Sequence, residues 1–405
     1  MRDETKVLGL VDDTPTGVSY VRFFQPFRHL RDLGYSLRTP GKRLTLTRAQ
    51  TNAPDGTLRT DGTLRTTGTR RTTGSWQPDP ALLDDVSLLM FPQLVAAPTG
   101  PDGNPVELVQ PLCAQARRRG IPVVYSVDDW IDGIDAANPA HETIRQAEHN
   151  IKALLEGCDA AIVTTDRLKQ ALATRPEMSG KPVHVIPNTI DPGDWAPRAT
   201  GQGLRVGWAG SSSHLEDLRL VLPSIRSLQA KHDFEFVLMG LIDMPIVEQI
   251  RRIRSGAASF GPAQRRRAAA FIELVRELEG IRFRHIPFMP ALDFVRELPR
   301  VDLAIGLCPL QDTAFNRCKS ALKFYEYAAS GTLTIASDVE PYRSEVSVRA
   351  SNNEQAWTET LDLHLSDPAA REAALNEQRA YVMGERTIEV VLPLWREALA
   401  SYSLA

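Results

Sequence analysis

Cysteine is scarce and scattered. Cys113, Cys158, Cys308 and Cys318 are spread over 405 residues, and only the last two lie within ten positions of each other. Neither a zinc-ligand spacing nor a disulfide framework is visible, which fits a reducing compartment. Long apolar runs are missing as well: nothing approaches the ~20 residues that span a bilayer. The opening MRDETKVLGLVDD carries no apolar stretch of signal-peptide length, so a cytoplasmic protein is expected. No charge of one sign dominates. A net charge of −3 excludes a polycation, so any affinity for nucleic acid or a membrane face must come from a local patch. Finally, no GxGxxG or GxxxxGK[ST] element follows the first strand of either half, which removes the best support for a dinucleotide dehydrogenase or a P-loop NTPase.

What is present is an alternation. With 42% apolar residues the chain has material for real cores, and short apolar runs alternate with amphipathic helical patterns from end to end. That pattern predicts parallel sheets with crossover helices. Strands are expected over 6–11, 87–92, 122–127, 160–165 and 183–187, with helices over 20–33, 106–119, 140–156 and 166–173. Gly34, Gly120 and Gly157 close three of these helices. Residues 192–203, PGDWAPRATGQG, interrupt the pattern as an interdomain linker would. The alternation restarts with strands over 204–210, 234–240, 281–287, 302–309 and 332–337. Helices follow over 216–231, 244–255, 265–278, 291–298, 320–330 and 354–366, and a last one over 388–399 comes after a break at Gly384. The expectation is two doubly wound domains, 1–195 and 204–384, joined by a linker at 196–203. A C-terminal segment, 385–405, then packs back on the first domain. Such domains bind ligands at the carboxyl ends of their strands, so a cleft between the two sets of strand ends is the predicted site.

One stretch breaks the pattern. From Pro54 the chain reads PDGTLR, TDGTLR, TTGTRR, TTGSWQ, a six-residue period. A β-solenoid would need one position to be apolar in every turn, but the equivalent positions here are Leu58, Leu64, Arg70 and Trp76. So little apolar surface cannot offset the ~1–2 kcal/mol per residue that ordering costs, and a basic surface loop at about 51–76 is expected instead. Between Arg38 and Trp76 eight cations face two carboxylates, a local charge of +6.

The run DLAIGLCPLQDTAFNRCKSALKFYEYAASGTLTIASDVEPY, over 302–342, is the richest in chemistry. Ser320 is a candidate N-cap and Gly331 a candidate C-terminal stop. At 100° per residue Lys319, Lys323 and Glu326 share one stripe, opposite Phe324 and Ala328. Two cations and a carboxylate near a helix N-terminus suit a nucleoside diphosphate: the lysines and amides take the phosphates, and the carboxylate takes the ribose hydroxyls. A solvent-washed i,i+4 charged face has the same spacing.

The run resembles the nucleotide-sugar site of GT-B glycosyltransferases, in the large retaining group 1 or family 4-like set. The matching residues are Pro309-Leu310, Asp312, Phe315-Asn316, Lys319-Ser320, Lys323, Glu326-Tyr327-Ala328-Ala329 and Gly331. Other segments are similar to the same set. GVSYVRFFQPFRHLRDLGY (17–35) resembles its glycine loop and first helix, and PVVYSVDDW (122–130) a recurring acidic element. VIPNTID (185–191) resembles the crossing into the second domain, and VGWAGSSSHLEDL (206–218) the opening of the donor domain. Two departures stand out. Cys318 occupies the place of a frequent Glu, and SSSHLED replaces a loop that often carries Arg and Lys.

The resemblance implies an α/β GT-B fold and metal-independent transfer of a sugar from a nucleotide-diphosphate donor, with retained configuration and no cofactor. It implies donor contacts from Gly17, Gly210, Ser211, His214, Asn316, Lys319, Ser320, Lys323 and Glu326, with Arg317 a further candidate for the diphosphate. Lys319 and Lys323 would stabilise the charge that grows on the leaving diphosphate. Asp128 and Asp129, or their rivals Asp12 and Asp13, would orient the acceptor hydroxyl; Arg22 is open to a salt bridge or a substrate contact. The expected acceptor is a glycan, a lipid-linked glycan or another anionic molecule, met at the inner membrane face or, through the basic loop, on DNA. A transferase of DNA bases or protein, and a non-catalytic nucleotide-sugar-binding module, are the competing readings.

Overall fold

The computed structural model describes residues 4–13, 16–40, 46–48, 63–66, 69–72, 76–94, 106–135, 138, 141–196, 198, 203–241 and 262–402. Sixteen strands appear among them. β1 (Thr5–Gly9), β2 (Tyr35–Arg38), β7 (Leu88–Phe91), β8 (Val123–Val127), β9 (Ala160–Val163) and β10 (Val183–Val185) form a parallel sheet in the order 10-9-8-7-1-2. β3 (Leu46–Arg48) pairs with β6 (Trp76–Pro78), and β4 (Thr63–Thr66) with β5 (Thr69–Thr72), both antiparallel. The hexad segment is therefore not wholly a loop: part of it is a hairpin with Arg65 opposite Arg70.

The second sheet holds β11 (Leu204–Ala209), β12 (Phe234–Met239), β13 (Phe283–Ile286), β14 (Ile305–Cys308), β15 (Leu333–Ser337) and β16 (Arg349–Ala350), in the order 13-12-11-14-15-16. All its pairs are parallel. β7, β8, β9, β14 and β15 are buried at every position, because helices cover both faces of a parallel sheet. The strand order reverses between β1 and β7 in the first sheet and between β11 and β14 in the second. Those reversals open the crevices where doubly wound folds place ligands.

Two helical expectations need correction. The first helix is a composite, Gly17–Ser19 and Gln25–Leu30 flanking a π-turn at Tyr20–Phe24, in which the Gln25 amide donates to the Tyr20 carbonyl. Gly384 is no break: it lies inside a helix over Pro368–Glu385, and the turn comes at Arg386 and Thr387, where Ile190 bridges to Thr387. The helix expected over 244–255 falls outside the described residues. The final helix, Ile388–Ala400, lays Ile388, Val391, Trp395, Ala398 and Leu399 against Val7, Phe27, Leu30 and Met90 of the first domain.

Candidate active site

The two sheets point their carboxyl ends at one another across a cavity of about 550 Å³. Loops after β8 bring Asp128 and Asp129, the loop after β11 brings Ser211, Ser213 and His214, and the segment after β14 brings Phe315, Lys319, Ser320, Lys323 and Glu326. A second, more apolar cavity of about 200 Å³ adjoins it. Gly17, Gly210, Met239, Gly240 and Phe288 line this one, and Ser211, Lys323 and Glu326 belong to both.

The helix bearing Lys323 and Glu326 runs over Leu322–Ala329. Its end is a Schellman turn: Gly331 sits at φ +75, its amide donates to Ala328, and the Thr332 amide donates to Tyr327. Its start differs from expectation. Ala321 is the N-cap, with no side-chain hydrogen bond, and Ser320 instead accepts a 2.8 Å bond from the Asn188 side-chain amide, across the domain boundary. Lys319 is not on the helix either. It follows a short 3-10 turn over Asn316–Cys318 in extended conformation, yet reaches the same cavity, where its Nζ donates to Asp129 Oδ1 at 2.8 Å. The shared stripe proposed from 100° spacing thus holds for Lys323 and Glu326 alone.

Lys323 lies with its Nζ 5.0 Å from the Trp208 ring centroid. A Cβ on Gly210 would come within 2.7 Å of that ring and 3.2 Å of the lysine Nζ, so only glycine leaves the approach open. Burial lowers the Lys323 ammonium below its ordinary range, with Cys308, Asp217 and Glu326 pulling it back. Glu326 is pushed up to about 7 by burial, with Lys323 opposing. His214 turns its Nδ1 to Asp217 at 2.8 Å, and burial keeps its ring in the neutral form to lower pH. Ser211 and Ser213 share a 2.7 Å bond at the rim.

On the facing wall Gln93 Oε1 accepts the amides of Asp128 and Asp129 at 2.8 and 2.7 Å, fixing the acidic turn. Asp128 is raised by burial and by Asp129 beside it, against the pull of Lys319 and Arg22. One carboxylate of the pair is thus matched with a cation while the other resists ionisation, an arrangement suited to holding or moving a proton.

Several candidates stand elsewhere. Asn316 is buried and donates to the Gln311 carbonyl, so it shapes the loop and does not line either cavity. Arg317 makes a two-pronged pair with Asp312 on the surface. Asp12 and Asp13 are exposed, and Asp13 is engaged by Thr39. Gly17, by contrast, lines the second cavity as the first residue of its helix, after a Thr16–Ser19 capping box. Cys318 packs into the first domain's core, and its carbonyl accepts from Thr165 at 2.9 Å. Missed altogether were Gln93, Asn188 and Ser126: single polar residues within apolar strands or at their ends, whose roles depend on contacts more than 30 positions away. Among the described residues the cluster with metal-ligand geometry, His29, Asp191 and Glu389, lies outside both cavities at the linker crossing, where Arg28 and His29 bond the same Asp191 oxygen.

No protein-family model and no curated protein matches the chain. Solved structures do. The fold superimposes on sucrose-phosphate synthase from Thermosynechococcus elongatus with a TM-score of 0.59 and 15% identity, covering 98% of this chain and 100% of that one. An alpha-glucosyltransferase solved with UDP and a 13-mer DNA gives 0.62 and 11%, over 99% and 100%. A pneumococcal O-GlcNAc transferase solved with UDP and GlcNAc gives 0.57 and 11%, over 99% and 100%. Two six-stranded parallel sheets facing a cleft are the architecture all three share with this chain. It has the GT-B glycosyltransferase fold.

Proposed function

We propose that the protein is a glycosyltransferase that moves a sugar from a nucleotide-diphosphate donor to a glycan or another hydroxyl-bearing acceptor. One observation carries the reading: Lys323 and Glu326 project from one helix into a cavity that Ser211, His214 and Lys319 approach from the same domain, opposite the Asp128–Asp129 pair. In this reading Lys323 and Lys319 hold the diphosphate, Glu326 accepts the ribose hydroxyls, and the glycine at 210 lets the backbone come close.

During transfer the bond between the anomeric carbon and the terminal phosphate oxygen breaks, and its electrons go to the diphosphate. The acceptor oxygen bonds to that carbon, and its proton passes to a carboxylate or phosphate oxygen beside it. Fixed lysines at the leaving group act where charge grows most, which favours the transition state over the ground state. They supply the charge that a divalent ion would otherwise bring, so the reading includes metal independence; retained configuration is part of it only through the resemblance of the 302–342 run. The DNA-bound state of one fold relative is that protein's own property; a basic hairpin is the feature here that keeps a polyanionic acceptor in view.

The test is a thermal-shift screen of the full chain against UDP, GDP, ADP, CMP and dTDP and their common sugars, with Lys323→Ala and Glu326→Ala alongside. A ligand at a hundred times its dissociation constant adds about 2.7 kcal/mol to stability. One nucleotide family should stabilise the wild type and fail to stabilise the variants. Absence of any response from the folded wild type would overturn the assignment and favour a fold kept without its catalysis.

A further inference from the structure

Among the described residues no carboxylate pairs with Arg22, a large cation of the cavity wall. It sits in the π-turn of the first helix with 1% of its surface exposed. Such single-turn insertions are frequent at functional positions. Its Nε donates to Ser126 Oγ at 3.4 Å, and its Nη1 to the Ile186 carbonyl at 2.7 Å and Asn188 Oδ1 at 3.3 Å. The guanidinium carbon stands 5.1 Å from the Trp395 ring centroid. The remaining nitrogen, Nη2, is buried and has no partner. Three neutral acceptors and one ring face hold the group in place without neutralising it. Asp128, the acid that acts on it through space, is itself reluctant to ionise. A cation kept in such surroundings costs several kcal/mol unless something compensates.

Its position says which ligand compensates. Lys319 and Lys323 belong to the second domain and lie where the donor diphosphate is placed. Arg22 belongs to the first domain, on the wall with Asp128, and lines the same cavity. Resting on the transferase reading above, we propose that Arg22 is an anion subsite of the acceptor half of the cleft: its Nη2 donates to a carboxylate or phosphate oxygen carried by the sugar substrate. Asn188 couples this subsite to the donor half, since it accepts from Arg22 and donates to Ser320 at 2.8 Å. The anion belongs either to the acceptor or to the transferred sugar, and the chemistry is the same in both cases.

The probe is inorganic phosphate, added to the full chain after saturation with UDP and compared with chloride at equal ionic strength. Phosphate should raise the melting temperature of the wild type further and leave Arg22→Met unmoved, while Arg22→Lys keeps part of the response. UDP-glucuronate against UDP-glucose, and glucose 6-phosphate against glucose in the presence of UDP, then assign the anion to donor sugar or acceptor. The charged member of the relevant pair should bind at least tenfold more tightly to wild type and equally to Arg22→Met. Arg22→Met leaves the acceptors on Ser126, Ile186 and Asn188 without their donor and so lowers the melting temperature in either role; the phosphate response is what separates a binding cation from a structural one. Phosphate no better than chloride, or a response retained in Arg22→Met, overturns the inference. Should Arg22→Met not fold, the wild-type comparison of charged with neutral probes decides alone. Failure of UDP to bind would instead remove the transferase reading, and the phosphate comparison without UDP would still report on Arg22.

Discussion

At the residue scale the site holds its groups away from their comfortable charge states. Glu326 is the sharpest case: its carboxyl titrates near 7 when folded, against about 4.3 in an unfolded chain. A carboxyl raised on folding binds its proton more tightly in the native state. The stability it contributes is therefore complete below the unfolded value and is lost as pH rises through about 7. Glu326→Gln should consequently melt progressively higher than wild type as pH is raised from 5 to 8, measured as the difference between paired melts. The same variant should bind its nucleotide ~10- to 100-fold more weakly above pH 7, the loss expected for a hydrogen bond to a charged group. A variant that melts higher yet binds worse separates a ligand-binding carboxylate from a structural one. Lys323→Ala removes a leaving-group cation, and a drop in turnover of about 10²–10³ is expected by analogy with loss of a transition-state donor. Gly210→Ala should mimic part of it, because the new methyl must displace either the Trp208 ring or the lysine.

Elements were legible in proportion to how apolar their buried faces are. The central strands of both sheets and the helix carrying Glu326 announce themselves as apolar runs or periodic stripes, whereas the short edge strands β2 and β16, YSLR and RA, do not. The helix over Pro368–Glu385 does not, for only Gln378 and Val382 on it are buried. Gln378 anchors it by pairing with both the amide and the carbonyl of Thr334 at 2.8 Å, a long-range bond with no local trace in the sequence. The π-turn was equally hidden, since one inserted residue alters neither composition nor period enough to notice. Within the candidate site Lys323, Glu326 and Gly210 could be read from motif and spacing. The orphaned Arg22, by contrast, emerges only when strand ends, helix and linker meet. The final helix stands between these cases: its apolar face was readable, and Trp395 both fills the first domain's core and backs Arg22. Trp395→Ala should destabilise by ~3–5 kcal/mol, the usual cost of deleting a large buried ring. Urea unfolding measures it, and a loss below 1 kcal/mol would mean that the helix is an accessory to the domain it covers.

For the whole molecule, the alternation of strands and helices reveals two doubly wound halves facing a cleft at their strand ends, but not the contacts that join them. Their meeting is specified by isolated pairs: Lys319 with Asp129, Asn188 with Ser320, Thr165 with the Cys318 carbonyl, and Tyr20 and Val21 packed on Ala291 and Val295. Lys319 is a contact between domains before it is a ligand contact. Under the proposed function, a diphosphate that reached it would have to compete with Asp129 for the lysine. The described strands of the hexad segment take no part in these pairs. Its strands β4 and β5 form a separate two-stranded sheet, joined to neither six-stranded one. Replacing residues 57–74 with a short Gly-Ser turn should therefore leave the melting temperature and the nucleotide response unchanged. An acceptor that is a polyanion would lose affinity mainly at low salt, where cations displaced from it contribute most. Measured at 50 and 200 mM salt, a smaller salt dependence in the shortened protein would assign the hairpin to acceptor capture. Identical salt dependence would leave it a tolerated insertion, and a fall in melting temperature would show that the hairpin supports the first domain.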